Sequence, residues 1–141
     1  MIYLPDVNVW ISLASDRHVH HKAAKDWFQH FAENEIAFCR ITEMGFLRLL
    51  TNRHVMGEDT MTPKEAWQIY DALRRDRHIT FLDETAEFTE RWRQISEAAI
   101  GGPNMWTDAY LLAFAAVYKA KIVTFDRALA ARAESEVLKI G

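Results

Sequence analysis

A single cysteine in 141 residues excludes any intramolecular disulfide. Cys39 closes the apolar run Ile36-Ala37-Phe38-Cys39, where a thiol is expected to be buried and inert. Proline and glycine are sparse, at three and five residues, and there is no internal repeat, low-complexity tract or interdomain linker. Long apolar runs are missing too. The longest nearly uncharged segment, 101–118, contains Asp108 and reads as a loop and a buried helix, not a membrane span. The N-terminus lacks a basic region and a long apolar stretch, so no signal peptide is expected and the cytoplasm is the expected location. Nor is there an excess of positive charge. Seventeen basic residues against 20 acidic ones leave a net charge of −3, without the basic footprint of a nucleic-acid binder. Acids collected into one site would, however, leave a more basic remainder.

Half of the residues are hydrophobic, enough for a real core in one domain spanning 1–141. Short apolar runs alternate with helical patterns, which predicts an α/β fold with helices on the faces of a mostly parallel sheet. The expected strands are Ile2–Leu4, Ile36–Cys39, Ile79–Leu82, Lys121–Phe125 and Val137–Ile140. A helix over His20–Ala32 places Ala23, Ala24, Trp27, Phe28 and Phe31 on one face. Thr62-Pro63-Lys64-Glu65 is a helix start with a capping box, running to about Arg75 and burying Ala66, Ile69, Tyr70 and Leu73. Another helix follows Asp83, carries Phe88, Trp92, Ile95 and Ala99 inward, and ends at Gly101-Gly102-Pro103. The polar stretch Asn52–Thr62 is expected to be a mobile loop.

Four acids fall where an open α/β sheet gathers them. Asp6 and Asp126 each end a strand, and sites in such sheets form beyond the carboxyl ends of the strands. Glu43 begins the helix after the second strand, at the same edge. Asp108 lies in the first turn of the helix leading to the fourth strand; a simple crossover is expected to put that start at the opposite edge unless the helix folds over the site. Converging carboxylates repel unless cations sit between them, and hard divalent metals such as Mg²⁺ or Mn²⁺ take oxygen ligands. A metal-dependent phosphodiesterase is therefore the chemistry this pattern suggests. Each acid also has an ordinary reading as a turn or helix cap, as do Asp16, Asp26, Asp59, Asp71, Asp76 and Asp83.

The motifs Asp6-Val7-Asn8-Val9-Trp10, Ile41-Thr42-Glu43 with Phe46-Leu47-Arg48-Leu49-Leu50-Thr51-Asn52, Trp106-Thr107-Asp108-Ala109-Tyr110-Leu111-Leu112-Ala113 and Thr124-Phe125-Asp126-Arg127-Ala128-Leu129 occur in this order. Through them the chain resembles, over essentially its whole length, the PIN-domain ribonucleases, and among them the VapC-type toxins of bacterial type II toxin–antitoxin modules. The resemblance implies a three-layer α/β/α PIN-like fold with a central, mostly parallel sheet of about five strands. It implies a helix start at Asp108 that does reach the acidic pocket, and Asp6, Glu43, Asp108 and Asp126 as the catalytic and metal-binding quartet. Asn8 and Thr124 stand where small polar residues support the acids. The function implied is metal-dependent endoribonuclease, with a homodimer as the assembly and an antitoxin whose C-terminal segment occupies a groove near the acids.

Such an enzyme hydrolyses RNA with metal-activated water, Asp6 and Asp108 holding Mg²⁺ or Mn²⁺ with help from Asp126. Glu43 is expected to take a second ion or to orient the water. Arg40, Arg48 and Arg127, with Arg53 and Lys22, are candidates for phosphate contact. Trp10, Trp106 or His54 would stack on unpaired bases if exposed, although burial preferences place Trp10 and Trp106 in the core. His18-Val19-His20-His21 lacks zinc-ligand spacing. Trp67, Tyr70 and Leu73 form an apolar face suited equally to a partner or to the core. Two other readings compete. A phosphoryl-accepting receiver domain would need paired acids after the first strand, and Asp6 has no acidic neighbour. A non-catalytic PIN-like module binding RNA or protein is the alternative that metal-dependent turnover would separate.

Overall fold

The computed structural model describes residues 1–132 and 137–140. Five strands form one sheet: β1 (Tyr3–Pro5), β2 (Ile36–Phe38), β3 (Ile79–Phe81), β4 (Lys121–Thr124) and β5 (Val137–Lys139). Their order is β3-β2-β1-β4-β5, and every pairing among the described residues is parallel. The strands match the apolar runs of the sequence to within a residue or two at each end. Cys39 leaves β2 and becomes the residue preceding the next helix; it is fully buried, and burial pushes its thiol pKa up, as expected of an inert cysteine.

Alternation along the short strands distributes two apolar clusters over the two faces. Ala37, Cys39, Leu4 and Ile122 point to one face, packing with α6 (Phe88–Ala98), α7 (Met105–Tyr118) and α8 (Arg127–Arg132). Ile36, Phe38 and Ile79 point to the other face. There they meet Trp10 of α1 (Val7–Ala14), Phe46 and Leu50 of α3 (Arg40–Leu50), and Ala66 and Tyr70 of α5 (Pro63–Arg74). Trp10 lies flat on Phe38, with ring centroids 3.7 Å apart. The helix α2 (His21–Phe28) closes this layer, its Trp27 meeting Tyr3 edge-on. The result is the three-layer α/β/α arrangement. Among the described residues no helix is long and apolar enough to cross a membrane.

The capping box at α5 forms as read: the Glu65 backbone N–H donates to Thr62 Oγ1 at 3.2 Å, and the Thr62 N–H to Glu65 Oε1 at 3.0 Å. The stretch Asn52–Thr62, expected to be a loop, is instead largely helical. It holds the short helix α4 (Arg53–Met56) and a 3-10 turn over Gly57–Asp59. Asn52 Oδ1 accepts from His54 N at 2.8 Å, a cap that polar composition concealed. The helix over His20–Ala32 is shorter than expected, ending at Phe28.

Gly45 sets how closely α3 approaches α1. A Cβ there would stand 2.7 Å from Val7 Cγ2, closer than packed carbon atoms sit, so only glycine allows the two helices to meet just behind Asp6. Gly45→Ala is expected to destabilise the fold by about 1–3 kcal/mol through overpacking, outweighing the better helix propensity of alanine. Urea unfolding measures this; a variant at least as stable as the parent would show that Val7 yields freely.

Candidate active site

Strand order fixes the location of the site. From β1 the chain steps outward to β2 and β3, then returns to the other side of β1 as β4. The carboxyl ends of β1 and β4 therefore flank the point where winding reverses, the usual ligand crevice of such sheets. Asp6 leaves β1 there, with its N–H donating to the Val123 carbonyl of β4 at 2.8 Å, and Asp126 follows β4. Thr124 joins the two. Its Oγ1 donates to Asp6 Oδ2 at 3.0 Å and accepts from the Asp126 N–H at 3.0 Å.

Asp108 arrives by a route the sequence did not make plain. Between β3 and β4 lie two helices, and α6 packs along α7 as an antiparallel hairpin, Phe88 against Phe114 at one level and Trp92 against Trp106 at the other. Only Lys119, in the left-handed region at φ 54°, and Ala120 separate α7 from β4. The helix thus runs antiparallel to the strand that follows it, and its start lies at the carboxyl edge without bending. The expectation that a simple crossover places Asp108 at the opposite edge was mistaken: in a parallel sheet a helix that feeds the next strand runs antiparallel to it, so its start lies at the carboxyl edge. Asp6, Asp108 and Asp126 all line one cavity of about 730 Å³.

Burial and like charge act together on Asp6 and Asp108. Burial pushes the Asp6 pKa up, opposed by the Thr124 hydroxyl and the Val7 and Asn8 N–H groups, while the charge of Asp126 pushes it up further. Asp108 is also raised, chiefly by burial; Arg132 opposes the shift, and Asp6 and Asp126 add to it. The Arg132 guanidinium stands 3.5 Å from Asp108 Oδ2. Asp126 uses Oδ1 to accept from the Ala128 and Leu129 N–H groups, at 2.8 and 3.4 Å, and so caps α8.

Glu43 does not join them on the cavity wall. The acid is 7% exposed, its carboxylate paired with Arg40 and close enough to the Tyr70 hydroxyl to act on its titration. Burial and this carboxylate push the Tyr70 pKa up to about 12. The cavity is lined instead by Arg40, Ile41, Met44, Gly45 and Arg48 of the same helix. The expected quartet is thus divided, three acids in the cavity and Glu43 behind Arg40, because its place on α3 turns it toward α5. Among the described residues no three His, Cys, Asp or Glu side chains are grouped closely enough to hold a metal ion as they stand. The donor set nevertheless fits a hard divalent cation: three carboxylates share one cavity, and two are held in a state that a positive charge would relieve.

Asn8 lines the same cavity from the first turn of α1. Arg40 and Arg48 are on its wall, whereas Arg127, Arg53 and Lys22 are not among the lining residues. Lys22 reaches Asp26 instead, at 3.9 Å. Glu84, Trp92, Asn104 and Thr107 also line it and were not singled out from the sequence as site residues. Glu84 was open to the rule that found Asp6 and Asp126, since it lies two residues past an expected strand. Of the histidines, His21 Nδ1 bonds the Ser12 carbonyl at 2.7 Å and His20 stacks on Phe125, local packing with no metal arrangement.

Fold and site together define a class: an open parallel α/β domain with an acid-lined cavity at its switch point. The family model described as PIN domain matches residues 3–135. Ribonuclease VapC41 of Mycobacterium tuberculosis is 39% identical over 130 residues, covering 89% of each chain. Ribonuclease VapC39 of the same organism is 36% identical over 140 residues, covering 99% of each. VapBC2 from Rickettsia felis, solved bound to a promoter DNA fragment, superposes with a TM-score of 0.71 at 15% identity over 100% of both chains. The chain therefore belongs to the PIN-domain family, among its VapC members.

The raised carboxyl pKa values give a pH dependence with a definite sign. The native protein binds protons more readily than the unfolded chain, so this contribution favours folding below the ordinary carboxylate range and is lost as pH rises through the raised values. Asp6→Asn is expected to raise the melting temperature of metal-free protein at pH 8 and to lose that advantage toward pH 4. A gain independent of pH would show that Asp6 is not strained by its charge. Thr124→Val should raise the Asp6 pKa further, read by NMR titration of the carboxyl carbon; an unchanged midpoint would break the proposed link.

Proposed function

We propose that the chain, as a single PIN domain over 1–141, is a metal-dependent endoribonuclease and the toxin of a type II toxin–antitoxin pair. The observation carrying this reading is the convergence of Asp6, Asp108 and Asp126 on one cavity in a chain of the VapC family. Its relatives bear the name ribonuclease, and the Rickettsia felis neighbour is a VapBC pair. A cognate antitoxin is accordingly the expected partner, with RNA as substrate and a homodimer as the assembly.

Asp6, Asp108 and Asp126 would hold the ion, Mg²⁺ or Mn²⁺. When bound, the ion lowers the pKa of a coordinated water and offsets charge on the phosphoryl oxygens. The residues of the chain prepare this. Thr124 fixes the Asp6 carboxylate and the backbone of Asp126 in one frame. Arg132, 3.5 Å from Asp108, tempers repulsion among the acids. Arg40 and Arg48 bring positive charge to a cavity otherwise hostile to a phosphodiester. Glu43 acts through Arg40, holding the guanidinium at the wall, while the Phe81 ring lies 5.0 Å beneath it. An antitoxin side chain carrying positive charge would satisfy the same acids and displace the metal.

The test is incubation of total cellular RNA with purified, antitoxin-free protein in Mg²⁺, Mn²⁺ or EDTA, beside Asp108→Asn. Discrete fragments that require metal and vanish in the variant are expected. A folded protein that cuts nothing in either metal would overturn the nuclease assignment in favour of a binding module.

A further inference from the structure

We infer that Trp106 is the stacking platform for an unpaired RNA base next to the scissile phosphate, an inference that rests on the nuclease reading above. Five tryptophans occur in the chain, and two belong to the motifs that flank the acids. Trp10 is fully buried on Phe38. Trp106 is 61% exposed although it lies in the first turn of α7, two residues before Asp108.

Exposure alone has little meaning, since single apolar side chains are common on surfaces. Position and bracing give it content. Trp106 meets Trp92 edge-to-face, with centroids 6.0 Å apart and planes at 77°. The Trp92 indole N–H donates to the Trp106 carbonyl at 3.3 Å. Trp92 in turn lines the acid cavity and packs on Phe88 and Tyr110 of the core. The exposed ring is therefore mounted on a rigid aromatic support continuous with the cavity, and little conformational freedom is lost when a base stacks on it. Asn104 and Thr107, its neighbours on the same turn, face the cavity.

Charge supplies the other half of the footprint. Arg40 and Arg48 stand on the α3 side of the cavity, where they suit phosphates. A strand entering between them and α7 would lay its backbone along the arginines and one base on Trp106. That requires a base free of pairing, so the substrate class is single-stranded or looped RNA, not duplex. Trp67 is an internal contrast. It is 48% exposed and also set edge-to-face on a neighbour, Tyr70, but it lines a neighbouring groove that meets the cavity at Met44 and Arg48, on the α3 side. It has no contact with Trp92 or the α7 turn that bears Asp108.

The experiment compares the parent with Trp106→Ala, Trp106→Phe and Trp67→Ala, each checked for fold by circular dichroism. Affinity is measured in EDTA for a short fluorescent single-stranded RNA and for its duplex, with steady-state cleavage measured in parallel. Trp106→Ala should weaken single-strand binding by about 5- to 100-fold, the range of one lost stacking contact. It should raise KM more than it lowers kcat. Trp106→Phe should keep most of the affinity, and Trp67→Ala and duplex binding should change little. Unaltered single-strand affinity and KM in Trp106→Ala, while the parent still cleaves RNA, would overturn the inference alone. A change of oligomeric state by light scattering with RNA affinity unaltered would overturn it too, assigning the exposed ring to a protein interface. A parent that neither binds nor cleaves RNA would remove the nuclease reading itself.

Discussion

Asp6 and Asp126 repel each other, and the Thr124 hydroxyl holds them together by serving both: it donates to the Asp6 carboxylate and accepts from the Asp126 backbone. This link exists only because β1 and β4 are neighbours in register, Pro5 opposite Val123. The rest of the site follows from that pairing. Acids at adjacent strand ends face a common crevice, burial of Asp6 and of Asp108 raises the free energy of their charged states, and the fold stores an electrostatic demand that a cation meets. This chain thus has unfavourable charge already built into the site, which a bound cation would relieve.

The surrounding elements divide the labour. Helix α7 brings Asp108 to the acids and leaves Trp106 exposed against Trp92, because one helical turn presents different residues to different neighbours. Helix α3 presents Arg40 and Arg48 to the cavity while turning Glu43 toward Tyr70. The negative floor and positive wall are a few side chains apart. A phosphodiester can therefore approach carboxylates that would repel it, provided that metal and arginine together outweigh them. Gly45 lets α1 and α3 close behind this arrangement.

Much of this was legible in the sequence. Apolar runs marked the strands, since a buried parallel sheet needs continuous hydrophobic segments. Asp6, Asp126 and Asp108 stood out because strand ends and helix starts have fixed places in an open sheet, and the ordered motifs around them resembled the PIN family. Thr62 and Glu65 announced their helix by a local hydrogen-bond pattern. Asn52 capped one equally well, but no apolar periodicity accompanied it and the stretch passed for a loop.

The sequence by itself determined which residues are available: the strand-forming runs, the acids and their hydroxyl partner, and a charge balance that hides a local positive wall. Tertiary structure alone decided how they are shared. The antiparallel run of α7 into β4 carries Asp108 to the right edge, and the rotation of α3 takes Glu43 off the wall. Packing buries Trp10 and leaves Trp106 open, although both are tryptophans in first turns beside an acid. Local chemistry sets what a side chain can do, but its neighbours are set by distant segments, and burial, charge and accessibility depend on those neighbours.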